Sequence, residues 1–274
     1  MTDGQKTGAP GPASAARWND LSQRMISGGA MALIGSALVV AGGVWFQMLA
    51  VFATAVMVWE LWMMIEPERP TPGMLLAALV ASVLSGQLVD STAWGLVLFA
   101  VVPLAGMAGL RRERGTFVGF ALAIQIAGWG LVQFREDYGF TWLLWLILVV
   151  VATDVMGYFA GRAIGGPKFW PRVSPKKTWA GTVAGWLGAA AVGWGFVLIG
   201  EANLALIPMS VFMSFASQLG DIGESGLKRR MKVKDSSALI PGHGGLFDRF
   251  DGLLGAALLM LLVALIVDVP EVRI

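Results

Sequence analysis

Nine apolar runs, most of them near the length of a membrane-crossing helix, dominate this chain. They are Met25–Gly42, Val44–Ile65, Met74–Val89, Thr92–Leu110, Thr116–Phe134, Thr141–Gly161, Trp179–Ile199, Ala205–Gly223 and Gly252–Val267. A hydrocarbon core takes roughly 20 apolar residues of helix. The third run is short and suits a tilted or partly interfacial helix. Only 14% of the residues are charged, where a soluble domain carries about 25%. The expected fold is therefore all-α, a polytopic membrane protein of about nine transmembrane helices. Residues 1–24 are expected to form a largely disordered cytoplasmic tail, because Met1–Ala16 is rich in Gly, Ala, Pro and Thr and lacks the apolar run of a signal peptide. Residues 25–274 are expected to form one transmembrane domain, with no internal repeat.

The basic residues orient these runs. With the N-terminus inside and nine crossings, 18 of the 20 Lys and Arg residues fall in cytoplasmic segments, and only Arg135 and Arg273 fall outside. That asymmetry follows the positive-inside rule. Fusing the first two runs, which only Gly42 and Gly43 separate, would break it. The C-terminus is then outside, and the two basic-rich loops share the cytoplasmic face of a bacterial inner (plasma) membrane. Trp94, Trp142, Trp170 and Trp179 lie near run ends and read as an interfacial aromatic belt. There is no cysteine, so disulfides, thiolate metal sites and cysteine nucleophiles are excluded.

The chemistry concentrates between Gln218 and Asp251. This stretch holds the bases Lys228, Arg229, Arg230, Lys232, Lys234 and Arg249, the acids Asp221, Glu224, Asp235, Asp248 and Asp251, and the single histidine, His243. Asp221 and Glu224 share a face if their helix continues, and Asp248 and Asp251 repeat that spacing at the start of the last run. Acids at membrane-helix ends need a counter-charge or a bound cation. An oxygen-rich, sulfur-free site suits Mg²⁺ rather than zinc. The bases complement it: Arg clamps phosphate with two bonds and Lys acts as a point charge. The Gly242–Gly245 turn lets backbone N–H groups approach a ligand. Taken singly, each part has a plainer reading. The basic run alone fits a lipid-headgroup patch, the histidine a local hydrogen-bonder, and the last two aspartates helix capping. Together they point to a phosphorylated substrate at a membrane surface. Glu60, the one clear mid-helix acid, reads as a structural hydrogen-bonder or a lipid-access residue and stands outside this cluster. A transporter would instead spread acids along a path across the bilayer.

The segment Ser225-Gly226-Leu227-Lys228-Arg229, four residues, Lys234-Asp235, then Pro241-Gly242-His243-Gly244-Gly245-Leu246-Phe247-Asp248-Arg249-Phe250-Asp251 resembles the signature of the phosphatidate cytidylyltransferases, or CDP-diacylglycerol synthases. A weaker resemblance covers Thr153-Asp154, Tyr158, Gly161-Arg162 and Ser174-Pro175-Lys176-Lys177-Thr178-Trp179. There the family pattern often continues with Glu, where this chain has Ala180. The resemblance implies that CTP and phosphatidic acid give CDP-diacylglycerol and pyrophosphate. It also implies Mg²⁺ dependence, with room for a second cation, and a homodimer in membrane lipid with no nucleic-acid partner. By match to the motif, Asp221 and Asp248 resemble metal-binding aspartates. The expected catalytic residues are Asp221, Lys228, Arg229, Lys234, Asp235, His243, Asp248 and Asp251. The expected substrate-binding residues are Asp154, Arg162, Ser174, Lys176, Lys177, Thr178, Glu224, Ser225, Gly244, Gly245 and Arg249. A cytidylyltransferase for another lipid phosphate, or a membrane transporter, is the alternative.

Overall fold

A computed structural model of the chain describes residues 12–90, 95–200 and 202–266, with side chains described from residue 25 onward. Its α-helices are α1 (Pro12–Ala41), α2 (Gly43–Ile65), α3 (Pro70–Val89), α4 (Val101–Gly109), α5 (Arg114–Tyr138), α6 (Phe140–Ala163), α7 (Trp179–Leu198), α8 (Leu206–Met231) and α9 (Phe247–Ala264). Each apolar run carries one of them. Five, namely α2, α3, α5, α6 and α7, are long and apolar enough to cross a membrane. The molecule is thus a helical membrane protein in its architecture.

Several boundaries differ from expectation for local reasons. The helix α1 begins at Pro12, inside the stretch read as a tail, and residues 1–11 lie outside the described residues. Gly42, at φ +66, separates α1 from α2, a backbone angle that glycine adopts without penalty. The helix α3 is longer than the third apolar run, because Pro70 and Pro72 form its first turn, where a missing N–H costs nothing. The fourth run is broken: a 3₁₀ segment, Gly95–Ala100, passes into the nine-residue α4. The fold is also not purely helical. Lys168–Trp170 (β1) and Ser174–Thr178 (β2) form an antiparallel hairpin between α6 and α7. Trp142 leaves the expected belt: it is 4% exposed and packs edge-on against Trp145 at 5.5 Å. Trp170 and Trp179 remain exposed, and Trp94 and Arg273 lie outside the described residues.

Lipid tails are as apolar as leucine, so helix association in a bilayer depends on close packing and on buried polar contacts. Both are present. Trp62, Phe117, Ile124 and Phe247 join α2, α5 and α9 in one core, while Trp145, Val149, Met213 and Ala256 join α6, α8 and α9 in another. Gly220 and Gly255 let α8 and α9 touch; a Cβ on Gly220 would lie 2.2 Å from the Asp251 carbonyl. A polar stripe then runs along α8. Ser210 accepts from Trp145 Nε1 at 2.9 Å, and Thr153 donates to Ser214 at 2.7 Å. Gln218 accepts from Trp186 Nε1 at 3.1 Å and donates to the Thr182 carbonyl at 3.2 Å. Each pairing removes an unsatisfied polar group from hydrocarbon. The stripe leads up α8 to Asp221, Glu224 and Lys228.

Candidate active site

Because α8 continues to Met231, Asp221, Glu224 and Lys228 lie on one helix at spacings that share a face. The helix ends at Lys232, whose left-handed backbone lets its N–H return to the Arg229 carbonyl and that of Val233 to the Lys228 carbonyl. The chain then turns back through a tight loop, in which Ile240 and Gly244 form a bridge, and enters α9 at Phe247. Asp248 therefore sits in the first turn of α9, beside Lys228.

Lys228 holds the centre of this arrangement. Its Nζ lies 2.5 Å from Glu224 and 2.7 Å from Asp248 Oδ1. Asp248 Oδ2 accepts from Ser236 N at 2.9 Å, Ser236 Oγ at 3.0 Å and Gly245 N at 2.8 Å. Burial alone would raise the Asp248 carboxyl. The contacts from Lys228 and Glu224 and the two backbone N–H groups outweigh it, and hold the group at about 2. Asp248 is accordingly ionised throughout the neutral range. Gly244 and Gly245 fit this cradle because they lack side chains. A Cβ on Gly244 would lie 2.6 Å from Asp248 Oδ2, and one on Gly245 would lie 2.0 Å from Ser236 Oγ.

A second group surrounds a cavity of about 400 Å³ between α6, β2, α7 and α8. Asp154, Arg162, Lys176, Lys177, Thr178 and Asp221 line it, as do Thr153, Tyr158, Thr182 and Gln218. That volume suits a small-molecule site. Lys177 is ion-paired with Asp221 and also donates to the Gln218 carbonyl at 3.4 Å. Asp154 has Asp221 and Lys177 as its charged neighbours, while Arg162 donates instead to Tyr158 Oη at 3.0 Å. The hairpin presents the lysines. Thr178 caps α7 by accepting from Gly181 N at 3.2 Å, which fixes the end of β2.

The two groups meet at Asp221, whose carboxyl is in hydrogen-bonding contact with that of Asp251. Two carboxylates that close require a proton or a cation between them. The donor set here is oxygen only, and Mg²⁺ commonly takes one or two carboxylates. Among the described residues no group of three or more acidic or histidine side chains forms a ready-made cage. A cation held between Asp221 and Asp251 would have to complete its shell from water and substrate phosphate.

The other expected residues are placed differently. Arg229, Lys234 and Asp235 are exposed, and Asp235 lies at the cradle, its Cβ 3.3 Å from where a Cβ on Gly244 would sit. Ser174 is buried in β2 opposite Trp170, and Ser225 is half-buried on α8. His243 turns away from the acids: its Nδ1 lies 3.0 Å from Ser27 Oγ of α1, and its carbonyl accepts from Arg249 at 2.6 Å. Ser236, Gln218 and Glu60 belong to the site or its support, yet sequence reading did not place them there. A signal existed for two of them. Ser210, Ser214, Gln218 and Asp221 recur at helical spacing, and Glu60 is an acid inside an apolar helix.

The model of the cytidylyltransferase family matches residues 22–267. The chain is similar to proteins named phosphatidate cytidylyltransferase. The one from Brucella abortus is 44% identical over 149 residues, 52% of this chain and 53% of the relative. The one from Bacillus subtilis is 33% identical over 253 residues, 86% and 94% of the two chains. That from Haemophilus influenzae is 43% identical over 180 residues, 60% and 62%. The match to the Brucella relative thus spans about half of that protein's length, 53%.

Proposed function

The chain belongs to the cytidylyltransferase family, and from that premise we propose that it is a phosphatidate cytidylyltransferase of phospholipid biosynthesis, converting CTP and phosphatidic acid into CDP-diacylglycerol and pyrophosphate. The observation that carries this reading is the junction at Asp221. A cavity bearing Arg162, Lys176 and Lys177 meets there the lysine-bridged carboxylates of α8 and α9, all at one end of the bundle. The positive-inside asymmetry supports nine spans with that end in the cytoplasm, in the inner membrane of a bacterial cell. The motif resemblance supports a homodimer.

The phosphate oxygen of phosphatidic acid attacks the α-phosphorus of CTP. The bond from that phosphorus to the oxygen bridging to the β-phosphate breaks, and pyrophosphate leaves with the electron pair. A phosphomonoester is largely dianionic near neutrality, its second pKa being about 6, so no side chain has to remove a proton. That suits a site whose histidine faces α1. The chain's task is to hold two polyanions together and in line. Arg162, Lys176 and Lys177 bind phosphate oxygens across the cavity, and Lys228 lies ready to do so beside Asp248. Asp221 and Asp248 orient Lys177 and Lys228 and would hold Mg²⁺, which supplies charge neutralisation at the phosphates.

Purified protein in mixed micelles, given CTP and Mg²⁺ with a panel of lipid phosphates, tests the substrate. Phosphatidic acid is expected to accept cytidylate at least about tenfold faster than lysophosphatidic acid, polyprenyl phosphate or sphingosine phosphate, a difference of about 1.4 kcal/mol in transition-state binding. A faster reaction with any of the others would reassign the lipid.

A further inference from the structure

We infer that Glu60, in the C-terminal part of α2, is a positioning residue for the loop that carries the active-site cradle, acting through Ser236 and the first turn of α9 on Asp248. Glu60 is fully buried, at 0% exposed, in an otherwise apolar helix. Its carboxylate accepts four contacts from the same distant segment. Oε1 takes Ser237 Oγ at 2.6 Å and Leu246 N at 2.9 Å; Oε2 takes Phe247 N at 2.7 Å and Ser236 Oγ at 3.4 Å. All four partners are donors, and a carboxylate, with an acceptor at both oxygens, is the side chain that satisfies them.

The placement gives Glu60 leverage. Leu246 and Phe247 open α9, one residue before Asp248, and their N–H groups are orphans that a helix start must satisfy. Ser236 donates its single hydroxyl proton between Glu60 and Asp248, with the shorter contact, 3.0 Å, to Asp248. Gly245 lies in the same knot: a Cβ there would come within 2.4 Å of Glu60 Oε1 as well as 2.0 Å of Ser236 Oγ. Glu60 thus ties both ends of the loop, residues 236–237 and 245–247, to a helix from the other half of the chain. A misplacement of about 1 Å at a catalytic group costs on the order of 100-fold in rate.

The kinetic part of this inference rests on the proposed reaction; the anchoring part does not. Glu60→Gln keeps the shape but turns an NH₂ group toward N–H donors, and Ser237→Ala removes one contact to Glu60 together with the exposed acceptor of the Leu239 N–H. Both variants and the parent are compared by hydrogen–deuterium exchange in detergent and by the rate of cytidylyl transfer. Exchange is expected to quicken in the peptide covering 236–250 and to stay unchanged in α6 and α7. In Glu60→Gln, kcat is expected to fall by about 100-fold, with KM for CTP within a few-fold of the parent. Ser236→Ala added to Glu60→Gln should lower the rate by less than the two single losses combined, since the Ser236 hydroxyl is shared between Glu60 and Asp248. Unchanged exchange in the loop of Ser237→Ala and Glu60→Gln overturns the anchoring. Loosened exchange with kcat retained, or fully additive losses in the double variant, overturns the positioning role. If Glu60→Gln unfolds, Ser237→Ala decides by the same two readouts. If the parent itself transfers no cytidylate, the proposed reaction falls, and the exchange comparison still decides whether Glu60 holds the loop.

Discussion

Asp248→Ala is expected to lower cytidylyl transfer by at least about 10²- to 10³-fold, the range seen when one preorganised electrostatic contact is removed from an active site, while the protein stays folded. Two features argue for the separation. Asp248 organises Lys228, Ser236 and Gly245, so its loss releases three groups of the cradle at once. Yet Lys228 keeps Glu224 as a partner at 2.5 Å, so no uncompensated charge is left behind in α8. Asp221→Ala should behave alike, because it frees Lys177 at the mouth of the cavity. The measurement is initial rate in detergent beside the midpoint of thermal unfolding. Near-normal rate in either variant would remove that aspartate from the site.

Lys228→Met has the opposite signature, a loss of stability together with a loss of rate. The methionine fills the same space, but Glu224 and Asp248, 1% and 7% exposed at their side chains, then face each other without a counter-charge. Removing one partner of a buried ion pair costs about 3–5 kcal/mol, because the other charge stays desolvated. Burial alone would lower the affinity of Lys228 for its proton, but the contacts to Asp248 and Glu224 reverse that and hold it above its ordinary value, so the lysine is fully charged where the pair needs it. The expected unfolding midpoint drops by several degrees, with the rate falling at least as far as in Asp248→Ala. Adding Glu224→Gln should restore much of the stability and none of the activity. A Lys228→Met protein as stable as the parent would mean that the three groups are not the buried triad described.

Much of this arrangement was legible in local sequence and part was not. Asp221, Glu224 and Lys228 could be placed on one face because helical spacing needs only the helix to continue, and α8 does continue past its apolar run. Asp154, Lys176, Lys177 and Asp221, which lie in separate stretches of sequence, line one cavity. The hairpin was invisible because β1 has three residues and β2 contains Pro175 beside two lysines, a composition that pattern reading rejects as strand. Trp142 was misplaced because a tryptophan at a helix start can face lipid headgroups or a neighbouring helix, and only packing decides. The glycines of the Gly242–Gly245 turn suggested backbone open to a ligand, whereas the Gly245 and His243 N–H groups are used within the loop, by Asp248 and the Ile240 carbonyl. The support from Glu60 was least legible. Its contacts span 176 to 187 residues of sequence, and no local pattern encodes which distant loop an isolated buried acid will receive.

The most direct test of the central claim is the fate of label from CTP given to the purified protein with phosphatidic acid. CTP labelled at the α-phosphate should transfer its label to the lipid phase in step with pyrophosphate release, and CTP labelled at the γ-phosphate should leave all of its label in pyrophosphate. Label from the γ-phosphate in the lipid would instead mean phosphoryl transfer. No lipid label from either would contradict cytidylyl transfer at this site altogether.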